Sequence, residues 1–147
     1  MPAQNHHCSV LQIDGRGVLL EGKSGLGKSS LLLSLLEKAK VDGYSASLVA
    51  DDQALLDIRH DRLVAQVPPT IIGKVEVFGY GLTTLPNLPE TAIDLVVELV
   101  KPSQINRMPD ANKVDRLGIE VPVLKVPALQ ETWACRMIFT WLNDNFA

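Results

Sequence analysis

The string Gly22-Lys23-Ser24-Gly25-Leu26-Gly27-Lys28-Ser29 satisfies the pattern G-x-x-x-x-G-K-[ST] at every fixed position. Such a loop wraps a polyphosphate in backbone N–H groups, because its glycines turn the chain without side chains in the way. The Lys28 ammonium is placed to reach β- and γ-phosphates, and the Ser29 hydroxyl to hold Mg²⁺. Lys23 offers either a second charge towards the phosphates or an ordinary solvent-facing lysine. With Ser30, these residues form the candidate nucleotide-binding set. A second chemical element is Asp51-Asp52, which closes the apolar run Ser47-Leu-Val-Ala50. A carboxylate at the end of a strand beside a phosphate loop completes a Mg²⁺ shell. Two adjacent acids leave a strand in different directions, so one can face a metal and the other an incoming nucleophile. They repel each other unless a cation lies close.

Several elements must position these groups. Residues 17–21 read as a strand entering the loop and residues 30–39 as a helix leaving it. The helix N-terminus adds about half a positive charge where the phosphates would lie. Residues 8–14 are expected as the first strand, turned back by Gly15-Arg-Gly17. Downstream, residues 41–44 read as a turn and residues 47–50 as a short buried strand. Residues 55–59 and 63–67 form a hairpin around His60-Asp-Arg62. Residues 75–78 are a strand followed by Gly79-Tyr-Gly81 and a loop with Pro86 and Pro89. Residues 92–100 carry the most β-prone run and are expected at the centre of the sheet.

Residues 101–115 are polar and without periodicity, and read as a mobile loop of the kind that often carries function. Residues 119–126 form a strand that Pro122 confines to an edge or an irregular position. Over residues 129–146, Trp133, Met137 or Ile138, Trp141 and Leu142 recur at helical spacing, as expected of a packing helix. One early helix, many strands and one closing helix predict an α/β fold with a mixed, twisted β-sheet, unlike a regular alternating α/β order.

Composition narrows the class. The chain has 147 residues, 46% hydrophobic and 21% charged, with a net charge of −3. This suits one globular domain, residues 1–147. The charge argues against a nucleic-acid partner, whose binding rests on neutralised phosphates. Cys8 and Cys135 lack the spacing of a zinc site or a redox pair and read as reduced, partly buried thiols. No basic segment leads into an apolar stretch at the N-terminus, and no apolar run approaches the about 18 residues of a membrane span. A cytoplasmic protein without a membrane partner is the expectation.

The assembled residues resemble the catalytic domain of the HPr kinase/phosphorylase family, bacterial enzymes that phosphorylate a serine of the sugar-transport phosphocarrier HPr. The resemblance rests on five stretches: the histidine-led strand pair of residues 7–20, the phosphate loop, Leu48-Val-Ala-Asp-Asp52, Glu76-Val-Phe-Gly-Tyr-Gly-Leu82 and Leu117-Gly-Ile-Glu-Val-Pro122. It spans about residues 1–127, without the N-terminal domain of the family. It implies a phosphoenolpyruvate-carboxykinase-like P-loop kinase domain, ATP and Mg²⁺ as cofactors, and an HPr-like phosphocarrier as acceptor. In that frame Asp51 is the general base, and an acid in the reverse reaction, with His7 holding its carboxylate. Ser29 and Asp52 hold Mg²⁺, Lys28 neutralises developing charge, Glu76 supports the metal or nearby loops, and Arg107 binds phosphate.

Departures from the family pattern accompany the likeness. Phe78 and Gln53 stand where the family carries arginines, and Ser30 replaces a common acid. Residues 101–115 also diverge, in a region tied to phosphorylase action and subunit contacts in relatives. Loss of two positive groups leaves open an ATP-binding sensor without transfer, or a kinase of another acceptor. Relatives form oligomers, and the apolar C-terminal helix is expected to serve such an interface.

Overall fold

A computed structural model describes residues 3–109 and 112–146. The phosphate loop hangs between β3 (Arg16–Glu21) and α1 (Lys28–Val41). β2 (Ser9–Ile13) pairs with β3 as an antiparallel hairpin, turned at Asp14 and Gly15, both at positive φ. Next to β2 lies β4 (Ala46–Ala50), which ends at the acidic pair. The other flank of β3 is parallel to β9 (Glu90–Val100). This order brings the end of β3 and the end of β4 to the same side of the sheet, with β2 between them.

The eleven-residue β9 is the organising strand. β6 (Arg62–Gln66) pairs with its first residues, and β11 (Ile119–Pro127) runs parallel to its last. β5 (Ala54–Arg59) continues from β6, and β1 (Gln4–His6) from β5. β10 (Asn112–Arg116) borders β11. β7 (Lys74–Val77) and β8 (Gly81–Thr84) form a separate two-stranded hairpin. Nine strands among the described residues, parallel and antiparallel together, make the mixed sheet that the sequence predicts.

The core lies on both faces of the sheet. Leu11 and Ile13 of β2, Val18 and Leu20 of β3 and Leu95, Val97 and Leu99 of β9 meet Leu31, Leu32 and Leu35 of α1. α2 (Glu131–Asn145) adds Ala134, Cys135, Ile138, Phe139 and Leu142 to the same cluster. Val10, Leu19 and Val96 point the other way, against Leu56, Leu63 and Ala65 of the curled β5–β6 flank. Strands buried on both faces read as continuous apolar runs, which is why Val18-Leu19-Leu20 shows no alternation. The pairing slips by one residue at Asp94, so Ile93 and Leu95 face opposite clusters.

Three expectations change. The strand expected over residues 8–14 is present as β2 but is the second, because β1 pairs with β5 before a break at His7 and Cys8. The loop after residue 78 is partly β8. Residues 101–115 contain a 3₁₀ turn, Pro102–Gln104, and the strand β10; Asp110 and Ala111 lie outside the described residues, as do Met1, Pro2 and Ala147. β10 reads Asn-Lys-Val-Asp-Arg and is largely exposed, so only pairing with β11 makes it a strand. The apolar face of α2 packs on α1 and β11. Pro122 behaves as expected: the parallel ladder with β9 begins only at Val123.

Candidate active site

The loop backbone is built for an anion. Gly25 and Gly27 sit at φ 86° and 85°, left-handed values that cost a side-chain-bearing residue about 1–2 kcal/mol. An added Cβ at Gly25 would meet nothing within 4 Å. Gly27 is the residue before α1, and its carbonyl accepts the Leu31 N–H at 2.9 Å. The first N–H groups of α1 therefore stay free to point at the loop. Lys28 is 7% exposed, and its Nζ donates to the Gly22 carbonyl at 3.1 Å. The ammonium is thus folded back over the mouth of the loop. Lys23 is exposed at the loop's outer side.

The acidic pair meets the loop. Ser29 Oγ donates to Asp51 Oδ1 at 2.7 Å, and Ser9 Oγ donates to the same oxygen at 3.1 Å. Asp52 turns away at φ 70°, and its carboxylate lies 2.5 Å from His7 Nε2. Asp51 is half-buried and Asp52 exposed. The partners are the reverse of those expected: His7 holds Asp52, not Asp51, and Ser29 faces Asp51, not Asp52. The cause is local. Asp51 directly follows β4 and its carboxylate meets Ser9 of β2 and Ser29 of the loop, whereas the left-handed step at Asp52 swings the next carboxylate towards the strand break that carries His7.

Cys8, next to Ser9 in the chain, is buried. Burial pushes its thiol up to about 12, with the charges of Glu21 and Asp52 adding to the rise and Lys28 opposing it. Beside the loop, a cleft of about 490 Å³ is lined by Glu21, Lys23, Leu26, Leu99 and Lys101. A larger one of about 540 Å³ lies between α1 and α2, away from the acidic pair.

Glu76 and Arg107 are not joined to this centre. Glu76 is exposed on β7, in the separate hairpin, and Arg107 is exposed beyond the 3₁₀ turn. Among the described residues, no hydrogen bond or ion pair links either one to the loop or the acids. Phe78 is 99% exposed at the tip of the β7–β8 hairpin. Ser30 donates to Glu131 Oε2 at 2.6 Å and Ser34 bonds the same carboxylate, so the first two turns of α1 are tied to the first turn of α2. Arg116 of β10 pairs with Glu21 just before the loop. Sequence reasoning missed Ser9, Glu131 and Arg116. Only Ser9 left a trace, as a polar residue within an apolar run beside His7.

Among the described residues, no three His, Cys, Asp or Glu side chains converge as a metal cage. Mg²⁺ needs none: it commonly takes one or two carboxylates, phosphate oxygens and water. Asp51 and Ser29 fit that demand.

Comparison with known proteins identifies the family. The family model described as HPr Serine kinase C-terminal domain matches residues 1–141. The HPr kinase/phosphorylase of Cupriavidus necator is 35% identical over 136 residues, covering 85% of this chain and 40% of the relative. That of Mycoplasma mycoides subsp. mycoides is 29% identical over 139 residues, with 86% and 42% covered. The chain thus spans about two fifths of the length of these curated relatives. A solved structure, the Hpr(Ser) kinase/phosphatase from Coxiella burnetii, superposes with a TM-score of 0.81 at 27% identity, over 97% of this chain and 90% of that one. By sequence and by fold, the chain belongs to the HPr Serine kinase C-terminal domain family.

Proposed function

We propose that this chain is an ATP- and Mg²⁺-dependent serine kinase whose acceptor is an HPr-like phosphocarrier in the cytoplasm. The observation that carries the reading is the hydrogen bond from Ser29 to Asp51 at the mouth of the phosphate loop, with Asp52 held beside it by His7. Asp51 and Ser29 are the residues that would hold Mg²⁺, which when bound screens the phosphate charge. Lys28 and the loop amides orient the β- and γ-phosphates. Asp52 takes the proton of the acceptor serine as its oxygen bonds to the γ-phosphorus and the bond to the ADP oxygen breaks. His7 keeps the Asp52 carboxylate turned to that task.

This assigns the base to Asp52 and the metal side to Asp51, following the partners each carboxylate has. The same Asp52 would return a proton to the serine when phosphate is removed, the second activity in the names of the relatives. Glu76 and Arg107 enter only as groups of the surrounding hairpin and loop. The test is direct. Purified protein, Mg²⁺ and γ-labelled ATP are mixed with an HPr-like carrier, and the label is located by mass spectrometry. Phosphoserine on the carrier is expected. Nucleotide binding without any label would establish a sensor instead, and label on another protein would replace the acceptor.

A further inference from the structure

Ser9 opens β2 and is fully buried, in a setting where its neighbours Cys8, Val10 and Leu11 are apolar. Its hydroxyl uses both of its capacities on the acidic pair. It donates to Asp51 Oδ1 at 3.1 Å and accepts the Asp52 N–H at 3.0 Å. A hydroxyl has one proton to give, so these two bonds fix its rotor. Asp52 stands at φ 70°, a left-handed conformation uncommon outside glycine that aspartate tolerates better than most residues and that local hydrogen bonds stabilise. The contact on its peptide N–H is Ser9. One side chain therefore clamps the turn that sends the two carboxylates in different directions.

We propose that Ser9 is a positioning residue for phosphoryl transfer: its hydroxyl orients Asp51 towards the metal side of the loop and locks the turn that presents Asp52 to the acceptor. The proposal rests on the kinase reading above. Ser29 shares the same Asp51 oxygen. Should the Ser29 hydroxyl turn to a cation, Ser9 is the donor left to hold that carboxylate. A donor one step behind a metal ligand commonly changes metal affinity or activity by about 10–100-fold when it is removed.

Ser9→Thr and Ser9→Val are matched in size and differ in the hydroxyl alone. Affinity for Mn²⁺-ADP, read from water-proton relaxation, needs no transfer to occur. The expected result is about 10–100-fold weaker Mn²⁺-ADP binding for Ser9→Val than for Ser9→Thr, with equal affinity for metal-free ADP. In the labelling assay, kcat should fall by a similar factor in Ser9→Val while KM for the carrier stays within about twofold, and Ser9→Thr should restore it. A residue that only stabilises the strand would lower the unfolding temperature without splitting the metal-bound from the metal-free affinity. If the branched variants do not fold, Ser9→Ala against the wild-type protein gives the same comparison. Equal Mn²⁺-ADP affinity with and without the hydroxyl overturns the role of Ser9 and leaves the kinase reading standing. A wild-type protein that binds no nucleotide overturns both.

Discussion

Ser29 and Asp51, separated by 22 residues, are joined by a 2.7 Å hydrogen bond between Oγ and Oδ1. The bond links the phosphate loop to the end of β4 across the intervening strand β2. It also separates two acids that are adjacent in the chain, since Asp52 has the ring of His7 as its partner. Paired carboxylates with different partners are suited to different work, one neutralising phosphate charge through a metal and one moving a proton.

The two acids should therefore fail in different ways. Asp51→Asn is expected to weaken Mn²⁺-ADP binding by about 10-fold or more, because a neutral amide cannot offset the charge of the ion. Asp52→Asn should leave that affinity within about threefold and lower kcat by about 100–10,000-fold, the range of a lost general base. Metal titration together with single-turnover labelling measures both. If Asp52→Asn loses the metal and Asp51→Asn keeps it, the roles are interchanged.

Lys28→Ala tests the loop itself. The side chain bonds only the Gly22 carbonyl, within its own loop, so its removal should spare the sheet and the helices. A loss of one preorganised donor to developing charge corresponds to about 100–1,000-fold in kcat. Circular dichroism should show an unchanged spectrum while carrier labelling falls by that factor. An active Lys28→Ala protein would mean that the backbone alone suffices.

The sequence announced the loop, its helix, the acid pair and β9 because each has a local signature: fixed glycine spacing, leucine periodicity, a charged end to an apolar run, a β-branched stretch. β1 and β10 have none, since Gln4–His6 and Asn112–Arg116 are polar edge strands that exist through their partners β5 and β11. The assignment of partners to Asp51 and Asp52 was equally hidden. It depends on a single positive φ, and aspartate gives no sign in one sequence of whether it will adopt one. The contact of Glu131 with Ser30 and Ser34 spans about a hundred residues and has no spacing rule behind it.

Gly17 is a place where the sheet tolerates no side chain. A Cβ there would lie 1.9 Å from the Ala92 carbonyl oxygen, so β3 and β9 could pair only after moving apart. Overpacking of this kind typically costs about 1–3 kcal/mol. Gly17→Ala should therefore lower the unfolding temperature by several degrees, at roughly 2–4 °C per kcal/mol for a chain of this size. Differential scanning calorimetry measures it. Because β3 leads into the phosphate loop, nucleotide affinity should fall with stability. A midpoint within 2 °C of wild type would show that the two strands can separate at little cost.

Cys8 gives the stability a pH dependence of defined sign. Its thiol rises from the ordinary 9.0 to about 12 in the folded protein, chiefly through burial. Above pH 9 the unfolded chain releases this proton while the native state keeps it, so the unfolded state binds fewer protons. Unfolding free energy must then fall as pH rises. The contribution is complete below pH 9 and is lost as pH climbs through about 12, with a slope approaching about 1.4 kcal/mol per pH unit. Other groups titrate in that window, so urea unfolding is compared between the wild-type protein and Cys8→Ala, and the difference between the two curves isolates the thiol. The wild-type curve should fall more steeply between pH 9 and 11, and native Cys8 should resist iodoacetamide at pH 8. Parallel curves, or rapid alkylation of the folded protein, would place the thiol in contact with water rather than buried.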